Sequence, residues 1–434
     1  MSTYQILKKK IEEKKAKVCI IGLGYVGLPL AVAFAKKGFF VYGFDNNQSR
    51  ISKLEKGQKY IVDVCSKEVL SLIKNKKFLP TIDEKVLGLS DIIIICVPTP
   101  LRKVKIPDIS YVVGAAKTIK KYLKKGQLVI LESTSFPTTT REVVLPELKK
   151  TGLREENDFF LCFSPERVNP GDKKFPLTKI PKIVGGLSPE SGRLAKSFYS
   201  KIIERIFAAS SPEVAESAKL LENTFRLVNI ALINEFTVAA HKLGINIWEV
   251  IEAAKTKPFG FMPFYPGPGV GGHCIPDDPI YFSWKAKKVG FKTKMIDLAS
   301  YMDHFMPKYV VERLEKLLRE KGIKIAESKI LILGAAYKKD VKDLREAPAL
   351  EIIEFLQKRG IKVNYYDPLI PYLKINSIDL RSADFSRQSL KKYDCVVIIT
   401  AHSGINYDFL RKNTKLIFDT RNVYKRDFEN VERL

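Results

Sequence analysis

The chain has 434 residues, of which 45 % are hydrophobic, and a formal net charge of +26. At roughly 100–200 residues per domain, this length predicts two to four domains. The apolar content excludes a disordered or fibrous protein. The excess of 74 Lys and Arg over 48 Asp and Glu leaves four explanations: a nucleic-acid partner, a membrane surface, an anionic small substrate, or a compositional bias.

The chain shows no targeting or membrane signal. No apolar run reaches the roughly 18 residues of a membrane-spanning helix, and residues 1–17 are charged, without the apolar core of a signal peptide. The six cysteines form no CxxC pair, which argues against a zinc or redox site. We therefore expect a cytoplasmic protein with free thiols. Four of the cysteines lie in apolar, strand-like segments and are expected in the core: Cys19, Cys96, Cys162 and Cys395.

The first half of the chain alternates between apolar strands and helical segments. A strand at 17–22 is followed by a helical segment that extends to Gly38. The other predicted strands are 39–45, 91–98, 128–134, 159–166 and 182–186. Such alternation predicts a parallel, doubly wound sheet.

From about Pro212 the pattern changes to one long helix, and a shorter helix follows at 247–254. Apolar residues recur along the long helix at spacings of three and four, which predicts a continuous apolar stripe. The residues of this stripe are Val214, Ala218, Leu221, Phe225, Val228 and Leu232. A helix of this length typically bridges domains or packs against a second copy of itself.

The strand–helix alternation then returns, with strands at 329–334, 361–367, 394–400 and 415–420 and a helix at 347–359. The predicted fold class is therefore α/β, with two Rossmann-like, doubly wound domains joined by a central helical domain that contains one long helix. The expected boundaries are 1–210 for the N-terminal domain, 211–315 for the helical domain and 316–434 for the C-terminal domain.

A glycine-rich turn follows the first strand and predicts a dinucleotide site. Gly22, Gly24 and Gly27 form a GxGxxG pattern, in which the first glycine permits a tight turn, the second admits a pyrophosphate and the third allows close packing. Asp45 ends the second strand, where a carboxylate accepts the ribose hydroxyls and favours NAD over NADP; Arg50 nearby weakens that distinction. The second α/β unit begins Gly334-Ala335-Ala336 and lacks this pattern, so a half-sized nucleotide is expected there.

Five segments resemble one enzyme family: GLGYVGLPLA (22–31), FSPERVNPGD (163–172), AKLLENTFRLVNIALINE (218–235), PGPGVGGHCIPDDP (266–279) and GAAYKKDVKDLREAP (334–348). From about residue 17 to 425 the chain resembles the UDP-glucose/UDP-N-acetylhexosamine 6-dehydrogenases. This resemblance implies that C6 of a UDP-sugar is oxidised twice, from alcohol through aldehyde to acid, with two NAD, for surface-polysaccharide synthesis. It also implies a homodimer or a higher homo-oligomer.

Cys274 is the only cysteine placed for this chemistry, because it lies in a loop too rich in Gly and Pro to be core. A thiolate adds to the aldehyde, hydride loss gives a thioester, and water releases the acid. Lys219 and Asn223 are four residues apart on one helix face, where an ammonium and an amide can stabilise an oxyanion. By resemblance Lys219 also assists proton transfer.

The resemblance assigns the remaining residues. Asp278 is expected to pair with the lysine and to activate the hydrolytic water, while Thr134 and Glu166 are expected to position that water. The expected cofactor contacts are Gly22, Gly24, Tyr25, Val26, Gly27, Asp45, Arg50, Val97, Pro98, Thr99 and Thr134. The expected substrate contacts are Glu166, Arg167, Val168, Lys219, Asn223, Phe264, Tyr265, Gly269, Lys338, Arg345 and Arg421. His273 is not expected to serve as a base, and no metal is predicted.

The sugar is predicted from the cysteine loop. The segment GGHCIPDDP and the lack of arginine in 255–265 resemble the UDP-N-acetylhexosamine enzymes, and Pro276 favours UDP-N-acetylglucosamine. UDP-N-acetylgalactosamine, UDP-N-acetylmannosamine and UDP-glucose stay open as alternatives. A two-electron hydroxyacid dehydrogenase would not need the Cys274 loop. A nucleic-acid or membrane-surface binder would need clustered basic residues, but here they are dispersed, so neither partner is expected.

Overall fold

A computed structural model describes residues 1–61, 64–102, 105–168 and 175–434. Part of the 163–172 motif, residues 169–172, lies outside these ranges. The chain divides into two compact units, Met1–Glu222 with Ile280–Phe291, and Asn223–Pro279 with Lys292–Leu434. Among the described residues, no helix combines the length and apolarity needed to cross a bilayer.

The first unit is built on an eight-stranded sheet of described residues, ordered β3-β2-β1-β4-β5-β6-β7-β8. Its strands are β1 (Lys17–Ile21), β2 (Phe40–Phe44), β3 (Phe78–Thr81), β4 (Ile92–Ile95), β5 (Gln127–Leu131), β6 (Phe159–Phe163), β7 (Lys182–Gly186) and β8 (Ile206–Ala209). The helices are α1 (Thr3–Glu12), α2 (Gly27–Lys36), α3 (Gln48–Glu55), α4 (Ser66–Lys74), α5 (Val86–Leu89), α6 (Ser110–Tyr122), α7 (Leu145–Lys149) and α8 (Pro189–Tyr199). The central strands are buried throughout because helices cover both faces of the sheet.

The sheet departs from the prediction at β7. Residues 182–186 form the expected strand, but it pairs antiparallel with β6, with Cys162 opposite Gly186 and Phe163 opposite Gly185. The connection between β6 and β7 contains no long helix among its described residues, and parallel pairing needs such a crossover. The antiparallel direction brings the first residue of β7, Lys182, to the edge where β4, β5 and β6 end.

The charged N-terminal segment, predicted only to lack a signal peptide, forms α1. Ser2 and Gln5 form a capping box at its start, and Leu7 and Ile11 are buried in the core of the first sheet. The two apolar side chains lie on one face of the helix, and the lysines between them lie on the face toward solvent. This segment is therefore an integral part of the first unit.

The helical part of the chain begins with α9 (Pro212–Leu243), as predicted, followed by α10 (Ile247–Lys255), α11 (Cys274–Lys288) and α12 (Lys294–Glu320). The division between the units falls within α9 and within α11. The apolar stripe of α9 is largely exposed: Leu221 is 69 % exposed, and Val214, Phe225 and Leu232 are also exposed. A stripe of this kind in a monomer is typical of a face that a partner covers.

The second unit contains a five-stranded parallel sheet of described residues, ordered β10-β9-β13-β14-β15, and a hairpin of β11 and β12. The strands are β9 (Lys329–Leu333), β10 (Lys362–Tyr366), β11 (Tyr372–Ile375), β12 (Ile378–Arg381), β13 (Cys395–Ile398), β14 (Ile417–Asp419) and β15 (Val431–Arg433). The helices are α13 (Pro348–Lys358), α14 (Arg387–Leu390) and α15 (Tyr407–Asn413). The order reverses between β9 and β13, as in a Rossmann-like sheet.

Candidate active site

The glycine-rich turn after β1 has the geometry that its three glycines predict. Gly22 has φ +90°, and a Cβ there would lie 2.5 Å from the Cys96 carbonyl oxygen. A Cβ on Gly27 would lie 1.9 Å from the Gly22 carbonyl oxygen, so α2 can start this close to β1 only with glycine. Gly24 differs, because no atom of the described residues lies within 4 Å of the position that its Cβ would take. The open space at Gly24 fits a pyrophosphate approaching the backbone.

Asp45 holds this turn from the end of β2. Its Oδ2 accepts from the Leu23 N–H at 2.8 Å and from Arg50 Nη1 at 2.6 Å, and its Oδ1 accepts from the Asn47 N–H at 2.9 Å. The carboxylate is buried, whereas the Arg50 side chain is 36 % exposed. The carboxylate that would meet the ribose is therefore oriented by the chain itself.

Gly24→Ala is expected to weaken NAD binding about tenfold or more without destabilising the chain. The added methyl group meets no protein atom, but it occupies the space through which the pyrophosphate reaches the backbone. Calorimetric titration of NAD and thermal unfolding measure the two effects; ten-fold corresponds to about 1.4 kcal/mol.

The matched control is Gly114→Ala in α6, where a Cβ also meets nothing within 4 Å. This control should keep full NAD affinity and gain up to about 1 kcal/mol of stability, because alanine is the better helix former. Unchanged NAD affinity in Gly24→Ala would remove Gly24 from the cofactor site.

The ends of β4 and β5 are joined by Ser133, whose Oγ accepts from the Val97 N–H at 2.9 Å and donates to the Val97 carbonyl at 2.8 Å. This arrangement places Val97 and Thr134 at the same sheet edge as the glycine turn. The Thr99 carbonyl accepts a hydrogen bond from Tyr281 Oη. The expected cofactor residues of these two strands thus lie where a doubly wound fold binds its ligands.

Glu166, three residues after β6, lies in a network of buried charges. Its Oε1 accepts from the N–H groups of Arg167 and Val168, both at 2.7 Å. Its Oε2 lies 3.3 Å from Lys182 Nζ, and the same ammonium lies 3.1 Å from Glu132 Oε1. Glu132 also accepts from Tyr199 Oη.

The charges decide the protonation of this network. Burial by itself raises the pKa of Glu166, but the ammonium of Lys182, the two backbone N–H groups and the charge of Lys219 outweigh it, so the pKa is lowered. Burial raises the pKa of Glu132 against the same ammonium. Glu166 is therefore an ionised carboxylate at neutral pH, able to accept hydrogen bonds but not to donate them.

Arg167 is held by its own unit. Its Nε and Nη2 bind Glu222 at 3.1 and 2.5 Å, and its Nη1 donates to the Pro181 carbonyl at 2.6 Å. This clamp connects the loop after β6 to α9. Lys219 lies one turn before Glu222 on α9 and is buried, at 8 % exposure.

Cys274 is exposed and is the first residue of α11. The sequence predicts a loop as far as residue 279, but the structure begins a helix at the cysteine. Pro276 is accommodated because the first-turn N–H groups have no partner within the helix. Backbone N–H groups of a first helical turn point toward any negative charge placed there, which suits a thiol that reacts as its thiolate.

Asp278, one turn after Cys274, is buried and accepts a hydrogen bond from Asn223 Nδ2. This contact joins α9 to α11 within the second unit and brings together two residues that the sequence separates by 55 positions. The pairing of Asp278 with Lys219 stays a prediction. His273 Nδ1 lies 3.3 Å from Asp277 Oδ2, so the side chain of Asp277 is turned toward the histidine.

The loop before Cys274 is fastened at several points inside the second unit. Asn234 Oδ1 accepts from the Gly267 N–H at 3.1 Å, and Asp303 Oδ1 accepts from the Val270 N–H at 2.6 Å. A Cβ on Gly271 would lie 2.5 Å from Tyr337 Cβ. The sequence analysis missed Asn234, Asp303 and Tyr337. For Asn234 and Asp303 the available signal was a polar side chain at a buried position of a helix, whereas Tyr337 offered no such signal.

Two of the expected substrate residues of the C-terminal part, Arg345 and Arg421, border this loop. Arg421 donates from Nε to the Ile399 carbonyl at 2.6 Å, and its Nη1 would lie 2.6 Å from a Cβ on Gly267. Burial lowers the pKa of Arg421 to about 10. The Arg345 carbonyl accepts from the Gly272 N–H at 2.9 Å. The Arg345 guanidinium binds the carboxylate of Asp343. The structure thus brings the cysteine loop, Arg345 and Arg421 together.

Two aromatic residues of the preceding segment pack in the same unit. Phe264 meets Phe225 edge-on at 5.8 Å between ring centroids. Tyr265 stacks on Trp248 at 6.4 Å and donates to Glu252 at 2.9 Å. Gly269 has φ +117°, which a residue with a side chain rarely adopts. The roles of these residues toward a sugar remain predictions.

The turn after β9 is built differently from the first glycine turn. Asp367, at the end of β10, accepts from the N–H groups of Ala335 and Ala336 at 2.8 and 3.1 Å and from His402 Nε2 at 3.0 Å. Asp367 is thus buried and bonded to the backbone of its turn, as Asp45 is at the first turn, but its side-chain partner is a histidine and not an arginine. A half-sized nucleotide at this turn stays a prediction.

Three consecutive family descriptions match the chain. Residues 16–203 match the NAD binding domain of the UDP-glucose/GDP-mannose dehydrogenase family, residues 213–304 its central domain and residues 331–426 its UDP binding domain. The chain is 39 % identical over 392 residues to UDP-N-acetyl-D-glucosamine 6-dehydrogenase of Pseudomonas aeruginosa, covering 90 % of this chain and 91 % of that protein.

Two further comparisons concern Pyrococcus horikoshii. The chain is 36 % identical over 420 residues to its UDP-N-acetyl-D-mannosamine dehydrogenase, covering 94 % of this chain and 96 % of that one. The solved structure of a UDP-D-ManNAc dehydrogenase from the same organism superposes with a TM-score of 0.87 at 34 % identity, over 96 % of this chain and 98 % of the other.

The fold and the glycine turn define an NAD-binding nucleotide-sugar dehydrogenase with Rossmann-like domains and a central helical domain. The chain belongs to the UDP-glucose/GDP-mannose dehydrogenase family. The resemblance stated from the sequence, the predicted fold class and the NAD cofactor are confirmed.

Proposed function

We propose that the protein oxidises C6 of a UDP-N-acetylhexosamine, with UDP-N-acetylglucosamine as the preferred substrate, to the corresponding UDP-uronic acid. The observation that carries this proposal is Cys274, an exposed thiol on the first turn of α11, with Asp278 one turn later held by Asn223. The domain limits 1–210, 211–315 and 316–434 are proposed with it, as are the roles of the expected site residues.

The residues divide the reaction into steps. NAD, bound twice in succession at the glycine turn, would supply the acceptor for each of the two hydrides. Lys219, one turn before Asn223 on α9, assists removal of the C6 hydroxyl proton in the first oxidation. The Cys274 thiolate then adds to the aldehyde carbon, and the resulting oxyanion is stabilised by Lys219 and Asn223. After the second hydride leaves, a thioester links Cys274 to C6.

Hydrolysis completes the sequence. Asp278 takes a proton from water as that water attacks the thioester carbon, the C–S bond breaks, and the Cys274 sulfur leaves as the thiolate. Glu166 and Thr134 hold the water. Four electrons leave the sugar, so two NADH form for each sugar consumed.

UDP-N-acetylglucosamine is preferred on two grounds, the Cys274 segment with Pro276 and the similarity to the Pseudomonas aeruginosa enzyme. UDP-N-acetylmannosamine is the second candidate, favoured by the Pyrococcus horikoshii relative and its structure. The test offers four UDP-sugars, those of glucose, N-acetylglucosamine, N-acetylgalactosamine and N-acetylmannosamine, and follows NADH. The expected result is the highest kcat/KM with UDP-N-acetylglucosamine and two NADH per sugar; one NADH per sugar would contradict the four-electron reaction.

A homodimer formed through the exposed stripe of α9 is also proposed. Leu221, Phe225 and Leu232 leave a continuous apolar face on this helix, and covering such a face is favourable by roughly 25 cal/mol per Å². Light scattering at micromolar concentration should give twice the mass of the chain, and a monomer would contradict the proposal. A cytoplasmic location is proposed because the cysteines are free thiols, which is typical of a reducing compartment.

A further inference from the structure

The chain contains a buried lysine that the steps above do not use. Lys182 begins β7, and because β7 runs antiparallel to β6, its side chain lies at the edge where β5 and β6 end. There it contacts Glu132, which follows β5, and Glu166, which follows β6, at 3.1 and 3.3 Å. We propose that Lys182 is a positioning residue that keeps Glu166 ionised and oriented toward the hydrolytic water.

The three side chains differ in their access to solvent. Lys182 is 4 % exposed and Glu132 is fully buried, whereas the side chain of Glu166 is 13 % exposed. Glu166 is therefore the member of the network that can meet a water from outside, and Lys182 is the group behind it. The inference rests on the proposed function, in which Glu166 holds the water that releases the acid.

The charge of Glu166 depends on the ionisable groups around it. Lys219 adds a second positive charge from α9. Glu132 brings an opposing negative charge when it is ionised, whereas Cys96 stays an uncharged thiol because burial raises its pKa well above the ordinary value. Tyr199 donates to Glu132 while its ring lies 5.3 Å from Lys182 Nζ. Without Lys182, two buried carboxylates would share this edge, and at least one of them would take up a proton.

Protonation would change what Glu166 does to the water. An ionised carboxylate only accepts, so a bound water points a hydrogen at Glu166 and leaves an oxygen lone pair directed elsewhere. A protonated carboxyl group can donate to the same oxygen and occupy that lone pair. Lys182 would thus determine how the attacking water faces the thioester, without touching the water or the substrate.

The test compares Glu132→Gln with the double variant Glu132→Gln/Lys182→Met. The double variant removes one negative and one positive charge relative to the wild type, so the net charge of the buried network is preserved. In Glu132→Gln the contact between Lys182 and Glu166 remains, so the acidic limb of the pH profile of kcat should keep its position or move to lower pH. In the double variant the acidic limb should move to higher pH by about one unit or more, which corresponds to at least roughly a ten-fold increase in the proton affinity of Glu166. Lys182→Arg, which keeps the charge, should restore the original profile.

A second measurement is independent of turnover. In an infrared titration, the carbonyl band of a neutral carboxylic acid should persist to a pH about one unit or more higher in the double variant than in Glu132→Gln, and that additional band should vanish when Glu166→Gln is added. Glu132→Gln/Lys182→Gln serves the same purpose if the methionine variant fails to fold. An upward shift in Glu132→Gln alone, or a double variant with neither shift nor band, would overturn the role of Lys182. Wild-type protein inactive on every UDP-sugar would instead overturn the proposed function, while the infrared comparison would still test Lys182.

Discussion

Cys274→Ala is expected to abolish formation of the uronic acid, lowering the rate by at least about a thousand-fold, while NAD binding stays intact. Without the thiol, the aldehyde has no nucleophile to form the adduct from which the second hydride leaves. The first oxidation does not need sulfur, so a small amount of NADH, without acid, is compatible with this expectation. Product analysis by mass spectrometry together with NADH absorbance measures both steps.

The chain offers a matched control for this variant. Cys65 is the other exposed cysteine among the described residues, and the remaining four are buried. Cys65→Ala should keep full activity. Iodoacetamide should label both exposed thiols in the wild type, and bound UDP-sugar should protect only Cys274. Acid formation at the wild-type rate in Cys274→Ala would exclude Cys274 from the mechanism.

Asp278→Asn is expected to slow turnover by about 10²–10⁴-fold, the usual range for loss of a general base, and to change the rate-limiting step. The asparagine keeps a side-chain oxygen that can accept from Asn223, so the contact between α9 and α11 is preserved. What is lost is the group that takes the proton from water. Two NADH per active site should appear in a burst, and the thioester should accumulate on Cys274, visible as added mass in the intact protein.

The neighbouring carboxylate provides the control. Asp277 lies on the same helical turn, 3.3 Å from His273, and Asp277→Asn should leave both the burst and the steady rate close to the wild type. An Asp278→Asn protein that hydrolyses the thioester at the normal rate would assign the base to another residue.

The geometry of the glycine turn could be predicted, and Cys274 could be singled out as an exposed thiol, because both depend on local sequence. Gly22 and Gly27 must be glycines because a side chain at either position would collide with backbone atoms of the turn itself or of the residue that follows β4. Cys274 differs from the other cysteines in the residues that surround it in the sequence. The long helix was equally predictable, since its apolar spacing is a property of the helix alone.

The residues that the sequence did not reveal depend on how distant segments meet. Lys182 reads as an ordinary residue at the start of an apolar strand, and only the antiparallel direction of β7 brings it between Glu132 and Glu166. The contact of Asn223 with Asp278 likewise depends on how α9 and α11 pack. Neither strand direction nor helix packing is encoded by local periodicity.

The attachment of the Cys274 loop has a consequence for the aldehyde. The loop is hydrogen-bonded to Arg345 and lies against Tyr337 and Arg421, in the segment that matches the UDP binding domain of the family. A sugar tethered by its diphosphate would then remain beside the thiol after the first hydride has left, while NADH is exchanged for NAD. In the proposed reaction, such a tether would keep the reactive aldehyde from leaving the enzyme. Free UDP is then expected to compete with the substrate for the whole four-electron sequence and not for only one of the two oxidations.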